Sequence, residues 1–104
     1  MSVLSITFHC MKDNIEEWEN YMDESLVLMA ENLIDVDKYI LSEVHSDYIE
    51  DGKNYNLLLI FDNDELRTDF IESELVNIAE IIEKKFGENI MIFNTFLNPK
   101  KSRF

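Results

Sequence analysis

Cysteine and glycine are scarce in this sequence, and each scarcity excludes a class of site. The one cysteine, Cys10, cannot form an internal disulfide, and its place in an apolar pattern predicts a small core residue in a reducing compartment. The two glycines, Gly52 and Gly87, are too few for a phosphate-binding loop. No serine or cysteine lies on a glycine-flanked turn that would present a nucleophile. The sequence therefore lacks the signatures of nucleotide-binding and nucleophilic enzymes.

Basic residues are also few, because 9 lysines and arginines face 22 acidic residues and leave a formal net charge of −13. Three of the nine basic residues, Lys100, Lys101 and Arg103, lie in the last five positions. Residues 1–99 therefore hold 6 basic residues against all 22 acidic ones, a balance of −16. Such a body repels phosphate backbones and anionic lipids, so nucleic acids and membrane surfaces are excluded as partners. The acidity itself is interpreted as a device for solubility.

Long apolar runs are missing as well. No segment approaches the roughly 20 residues of a membrane span, and the first residues lack the basic region of a signal peptide. We therefore expect a cytoplasmic protein. The length predicts a single domain over residues 1–98, followed by a basic tail over residues 99–104.

The segment that organises the chain is residues 54–61, which predict a strand with two apolar faces. Its side chains alternate between Tyr55, Leu57, Leu59 and Phe61 on one face and Leu58 and Ile60 on the other. Such a strand belongs in the middle of a sheet that is covered on both sides.

The other predicted elements surround this strand. Alternating apolar residues predict a first strand over residues 2–10 and a less regular edge strand over residues 38–49. Residues 50–53 have the composition of a hairpin turn between the edge strand and the organising strand. Apolar stripes at helical spacing predict one helix over residues 14–33 and a second that begins near residues 62–65 and ends at Gly87. A last strand, apolar on both faces, covers residues 89–97.

This order predicts an α+β fold, the ferredoxin-like βαββαβ sandwich, with a four-stranded antiparallel sheet and two helices on one face. The first and third strands are central. The other sheet face would stay bare although the third and fourth strands are apolar there too. We therefore expect a homodimer in which two such faces pack together, as in a dimeric α/β barrel.

Two segments carry a resemblance to a known family. Residues 85–97, KFGENIMIFNTFL, and residues 17–22, EWENYM, resemble a family of bacterial proteins of roughly 100 residues classed as a domain of unknown function. That family is similar to the dimeric α/β-barrel superfamily of ferredoxin-like folds. The resemblance implies the fold and a dimer, and it implies no reaction. Relatives often have a His closely followed by Pro in the first helix, where this chain has residues 25–28, SLVL, so no role for that His is transferred.

His9 is the candidate catalytic residue, because it lies on the strand face that points towards the expected dimer interface. It could act there as a general base or a ligand. The alternative is a partly buried histidine that is hydrogen-bonded to a neighbour such as Thr7 or Asn94, and this alternative is favoured because spacing defines no second catalytic group. A metal site of His9, Cys10 and His45 is rejected, because adjacent strand residues face opposite ways and the strands of His9 and His45 are not neighbours.

Trp18, Tyr39 and Thr95 are candidates for the edge of a pocket that could take a small apolar ligand, although the helical spacing of Trp18 favours a place in the core. No cofactor is indicated. Two hypotheses stay open: a homodimeric binding or interaction module without catalysis, and a cofactor-independent enzyme of the monooxygenase or isomerase kind with His9 as its base.

Overall fold

The computed structural model describes residues 1–45 and 51–103, and within them a four-stranded antiparallel sheet has the strand order β2-β3-β1-β4. The strands are β1 Ser2–Met11, β2 Lys38–Glu43, β3 Gly52–Phe61 and β4 Ile90–Leu97. β1 and β3 are the central pair, with Ile6 opposite Leu57. This arrangement confirms the predicted ferredoxin-like fold, in which the first and third strands are central.

The edge strand β2 is shorter than the predicted range of residues 38–49. It pairs with β3 from Lys38, opposite Ile60, to Glu43, opposite Tyr55. The rest of the predicted strand and turn falls partly on residues 46–50, which lie outside the described residues.

Two interrupted helices cover one face of the sheet. The first consists of α1 Ile15–Tyr21, a π-helical segment Met22–Leu26, and α2 Val27–Glu31. The second consists of α3 Asp64–Glu72 and α4 Glu74–Phe86, which are separated at Ser73 by backbone angles of φ −122° and ψ −76°. The sequence predicted each as one continuous helix, because the apolar stripe runs through both interruptions.

The ends of the second helical segment follow local chemistry. The side chain of Asn63 caps α3 by accepting a hydrogen bond of 2.9 Å from the backbone N–H of Leu66. The cap therefore lies within residues 62–65, where the sequence predicted the start of this helix. Gly87 ends α4 with a positive φ of +59°, as its position after the last apolar residue predicted.

Trp18 lies at the centre of the core between the sheet and the helices. Its ring packs at centroid distances of 5.1 Å from Phe8, 5.5 Å from Phe86 and 6.4 Å from Tyr55. Cys10 is fully buried beside this cluster. The core therefore lies on the helix side, and the opposite side of the sheet has no covering element among the described residues.

A glycine is required at position 52 because β3 approaches β1 closely there. Gly52 has a φ of +151°, and a Cβ atom at this position would overlap the carbonyl oxygen of Cys10. The sequence predicted this glycine as part of the hairpin turn, but it is the first residue of β3 and lies opposite Met11. Within the described part of the chain, no helix is both long and apolar enough to cross a membrane.

Candidate functional site

The sheet face turned away from the helices is the candidate site, and we call it the open face. Strand alternation assigns its residues, because partners in an antiparallel pair point to the same side. They are Val3, Ser5, Thr7, His9 and Met11 of β1; Lys38, Ile40 and Ser42 of β2; Gly52, Asn54, Asn56, Leu58 and Ile60 of β3; and Met91, Phe93, Thr95 and Leu97 of β4.

The open face carries no acidic side chain along the described strands, although 22 of the 104 residues of the chain are acidic. The helices hold much of this negative charge, for example Glu16, Asp23, Asp69 and Glu80. The molecule therefore has an acidic helix side and an open face without carboxylates. Electrostatic repulsion between two copies is weakest when these open faces meet.

Apolar side chains border the open face on both edge strands. Ile40 of β2 and Met91, Phe93 and Leu97 of β4 are exposed, and Phe93 retains 54% of its accessible surface. Exposed apolar residues scattered singly are normal on a protein surface, but three on the same face of one strand, as on β4, are typical of an interaction site. These residues are therefore the part of the open face that gains most from being buried by a partner.

A polar stripe lies between those borders on the central strands. Asn56 Nδ2 donates hydrogen bonds to Ser5 Oγ at 2.8 Å and to Thr7 Oγ1 at 3.3 Å. These side chains partly satisfy one another across β1 and β3. Covering the stripe consequently costs less than covering polar groups that would lose all their partners.

His9 stands at one end of this stripe and is held by Asn54. The ring atom Nδ1 lies 2.6 Å from Asn54 Oδ1, and an amide oxygen can only accept, so Nδ1 carries the proton. The other nitrogen, Nε2, then keeps its lone pair in the neutral ring. Gly52 lies close to the ring, because a Cβ atom there would be 3.1 Å from Nε2. The hydrogen-bond partner of His9 is thus Asn54, whereas the sequence suggested Thr7 or Asn94.

The structure does not bring Trp18, Tyr39 and Thr95 together. Trp18 is fully buried in the core, and Tyr39 is on the helix side of β2, where its hydroxyl donates to Glu31 at 3.2 Å. Thr95 is on the open face opposite Ser5. Of these three residues, only Thr95 lies on the open face with His9. The three therefore do not line one pocket.

A charged cluster on the helix side was not predicted from the sequence. Tyr55 Oη donates to Glu19 Oε2 at 3.0 Å, and Lys53 Nζ lies 3.5 Å from the same oxygen and 3.3 Å from Glu43 Oε2. Burial, together with the hydrogen bond to Glu19, raises the pKa of Tyr55. Burial also raises the pKa of the Cys10 thiol to about 11, and the Glu19 carboxylate adds to that rise. The cluster joins β2 and β3 to α1.

Arg67 is a second residue whose role the sequence did not reveal. It is only 7% exposed, and its Nη1 atom donates to the backbone oxygens of Val3 at 3.0 Å and Leu97 at 3.1 Å. Its guanidinium carbon lies 5.3 Å from the centroid of the Phe96 ring. Arg67 therefore connects α3 to the beginning of β1 and the end of β4.

Within the described residues 1–45 and 51–103, no group of three or more His, Cys, Asp or Glu side chains could hold a metal ion.

Solved structures show where this fold occurs elsewhere. A Deinococcus radiodurans protein proposed to be an antibiotic biosynthesis monooxygenase is 11% identical with a TM-score of 0.69, and the match covers 100% of this chain and 97% of that one. HapK from Hahella chejuensis is 7% identical with a TM-score of 0.68, over 100% and 97% of the two chains. A dimeric ferredoxin-like protein from an uncultured marine organism is 14% identical with a TM-score of 0.60, over 100% and 99%. At these identities the likeness establishes the fold alone.

The sequence comparison is more specific about family. No curated protein matches the chain in sequence. The profile of one family, described as Domain of unknown function (DUF4286), matches residues 1–100. Since this match covers nearly the whole chain, the protein belongs to the DUF4286 family and has the ferredoxin-like fold that the sequence predicted.

Proposed function

We propose that this chain is a cytoplasmic, homodimeric binding module without catalysis, in which the open faces of two copies pack against each other. The observation that carries the proposal is the charge partition of the sheet: the open face has exposed apolar borders and no carboxylate in a chain of net charge −13. A face exposed only to solvent would carry acidic side chains as the helices do. A face that packs against a second copy must lack them, because carboxylates on the two copies would repel each other.

The polar stripe supports the same proposal. Asn56 donates to Ser5 and Thr7, and His9 donates to Asn54, so these groups keep partners when water leaves the face. Buried polar groups that retain their hydrogen bonds cost little on association, whereas orphaned groups cost about 1–3 kcal/mol each. The description of one structural neighbour as a dimeric ferredoxin-like protein is consistent with such an assembly.

The alternative function is a cofactor-independent enzyme of the monooxygenase or isomerase kind that acts on a small apolar substrate. One observation favours it: the 2.6 Å hydrogen bond from His9 Nδ1 to Asn54 leaves the lone pair of Nε2 available to accept a proton. The proposed assignment of one structural neighbour as a monooxygenase belongs to the same reaction class. This reading requires a substrate-sized space around Nε2 after two copies have met.

A charge placed on the open face tests the binding module. We expect Phe93→Glu to weaken the dimer by at least tenfold, because the new carboxylate would be buried against a second apolar border. The matched control is Val76→Glu, which places the same charge on an exposed apolar position of α4 on the helix side. Sedimentation equilibrium measures both. If Val76→Glu dissociates the dimer and Phe93→Glu leaves it intact, the assembly uses the helix side and the proposal is wrong.

The reactivity of His9 separates the module from the enzyme. In a His45→Gln variant, His9 is the only histidine of the chain, so the ultraviolet absorbance of carbethoxylated histidine after diethyl pyrocarbonate treatment reports on His9 alone. In the module we expect His9 to be protected at protein concentrations well above the dimer dissociation constant, and modified after dilution below it. Modification at the same rate in both states would show an accessible cavity around Nε2, as catalysis requires.

A further inference from the structure

A cavity on the helix side of the sheet lies between the end of the first helical segment and the interruption of the second at Ser73. Its volume is about 310 Å³, which falls at the lower end of the range for small-molecule sites. One wall comes from the end of α2 and the loop that leads to β2, and the other from the junction of α3 and α4 at Ser73. The cavity exists because neither helix continues across this part of the core.

Apolar side chains form much of the inner surface of the cavity. Phe70 is buried and packs on Phe61 at a centroid distance of 5.5 Å, and Met29, Leu33 and Val36 pack against the same core. Ile34 stands at the rim with 97% of its side chain exposed. A large apolar side chain so fully exposed beside an apolar cavity would gain burial from a ligand that fills the cavity.

The rim of the cavity carries charge of one sign. Asp35 and Glu74 both line it, and none of its lining residues is lysine, arginine or histidine. The net charge of −13 adds a long-range attraction for cations. An anionic ligand would meet repulsion from the rim, and a neutral ligand would leave both carboxylates without a counter-charge.

From this combination we propose that the cavity binds a small amphiphilic cation, an amine whose apolar body rests on Phe70 and Leu33 and whose ammonium group lies between Asp35 and Glu74. The apolar body fits the lining and the charge fits the rim. The site belongs to one copy of the chain, so this inference does not depend on the proposed dimer.

Titration with three probes of one shape tests the proposal. Phenethylammonium, 2-phenylethanol and 3-phenylpropanoate carry positive, zero and negative charge on similar bodies of about nine to eleven non-hydrogen atoms, for which a dissociation constant of about 1 mM is expected. Amide chemical shifts of the labelled protein at low salt measure the affinity and locate the site. We expect the ammonium to bind at least threefold more tightly than the alcohol, the carboxylate to bind most weakly, and shifts to concentrate at Leu33, Val36 and Phe70.

Matched variants identify the contribution of the rim. Asp35→Asn and Glu74→Gln should each weaken phenethylammonium binding by about two- to fivefold, the size of a solvent-exposed ion pair. The control is Glu80→Gln, which makes the same change elsewhere on α4 and should leave the affinity unchanged. Equal affinity for the three probes, shifts located elsewhere, or an equal loss in Glu80→Gln would each overturn the proposal.

Discussion

At the scale of single residues, Arg67 shows how much one side chain holds together. Its charged group is buried and reaches the backbone of both β1 and β4. A sequence cannot indicate this role, because Arg67 interrupts the apolar stripe of its helix and its backbone partners are 64 and 30 residues away. Residues of the core such as Trp18 were predictable, since their spacing alone places them towards the sheet.

We expect Arg67→Ala to destabilise the fold by about 2–4 kcal/mol, because the buried Val3 carbonyl and the partly buried Leu97 carbonyl lose a charged donor and the end of β4 loses its connection to α3. Urea unfolding measures the difference. Arg103→Ala is the matched control, since Arg103 is exposed in the basic tail and its removal should change stability by less than about 0.5 kcal/mol. Equal stability of the two variants would contradict the role assigned to Arg67.

Cys10 gives a prediction about pH. Its pKa is raised from 9.0 to about 11 in the folded protein, so the unfolded chain loses the thiol proton first. The contribution of this thiol to the free energy of unfolding is therefore complete below pH 9. It falls by about 2 kcal/mol as the pH rises from 9 to 11. Urea midpoints at pH 8, 9, 10 and 11 measure the decline.

Tyrosines with raised pKa values, among them Tyr21 and Tyr55, also destabilise the protein when they ionise in alkaline solution. The Cys10→Ala variant is therefore needed to isolate the contribution of the thiol. The variant should decline less steeply than the wild type between pH 9 and 11. Parallel declines would show that the thiol has the same pKa in the folded and unfolded chains.

At the scale of the elements, the sequence predicted where helices and strands lie better than where they break. The apolar spacing of residues 14–33 and 62–86 continues through the π-helical segment and through Ser73, so the pattern contains no signal for either interruption. The strand faces were predictable because alternation has a fixed period. The sequence correctly placed His9 and Phe8 on different faces of β1. The hydrogen-bond partner of His9, Asn54, depends on the register of β1 and β3, which only the fold determines.

The two glycines differ in what their positions require, and alanine substitution should reveal the difference. Gly52→Ala should destabilise the protein by about 2–4 kcal/mol, because its φ is positive and the new Cβ atom overlaps the Cys10 carbonyl. Gly87→Ala should cost only about 1–2 kcal/mol, since its φ is also positive but open space surrounds the new atom. Thermal unfolding of both variants tests this order, and the reverse order would contradict the close approach of β3 to β1.

At the scale of the whole molecule, the separation of charge from the open face determines how the protein should respond to salt. Each copy carries a formal charge of −13, and two acidic bodies repel each other even when the faces that meet carry no carboxylate along their described strands. Raising the salt from about 50 to about 500 mM should therefore tighten the dimer by several-fold. Sedimentation equilibrium at both concentrations checks this, and a dimer that dissociates in salt would instead depend on ion pairs.

The most direct test of the central claim is the mass of the wild-type protein in solution, measured by size-exclusion chromatography with light scattering at moderate salt. The account predicts twice the 12.3 kDa of one chain, because the open face with Phe93 at its border is then covered by a second copy. A mass of one chain at every accessible concentration would contradict it, and the exposed face would then require a different partner.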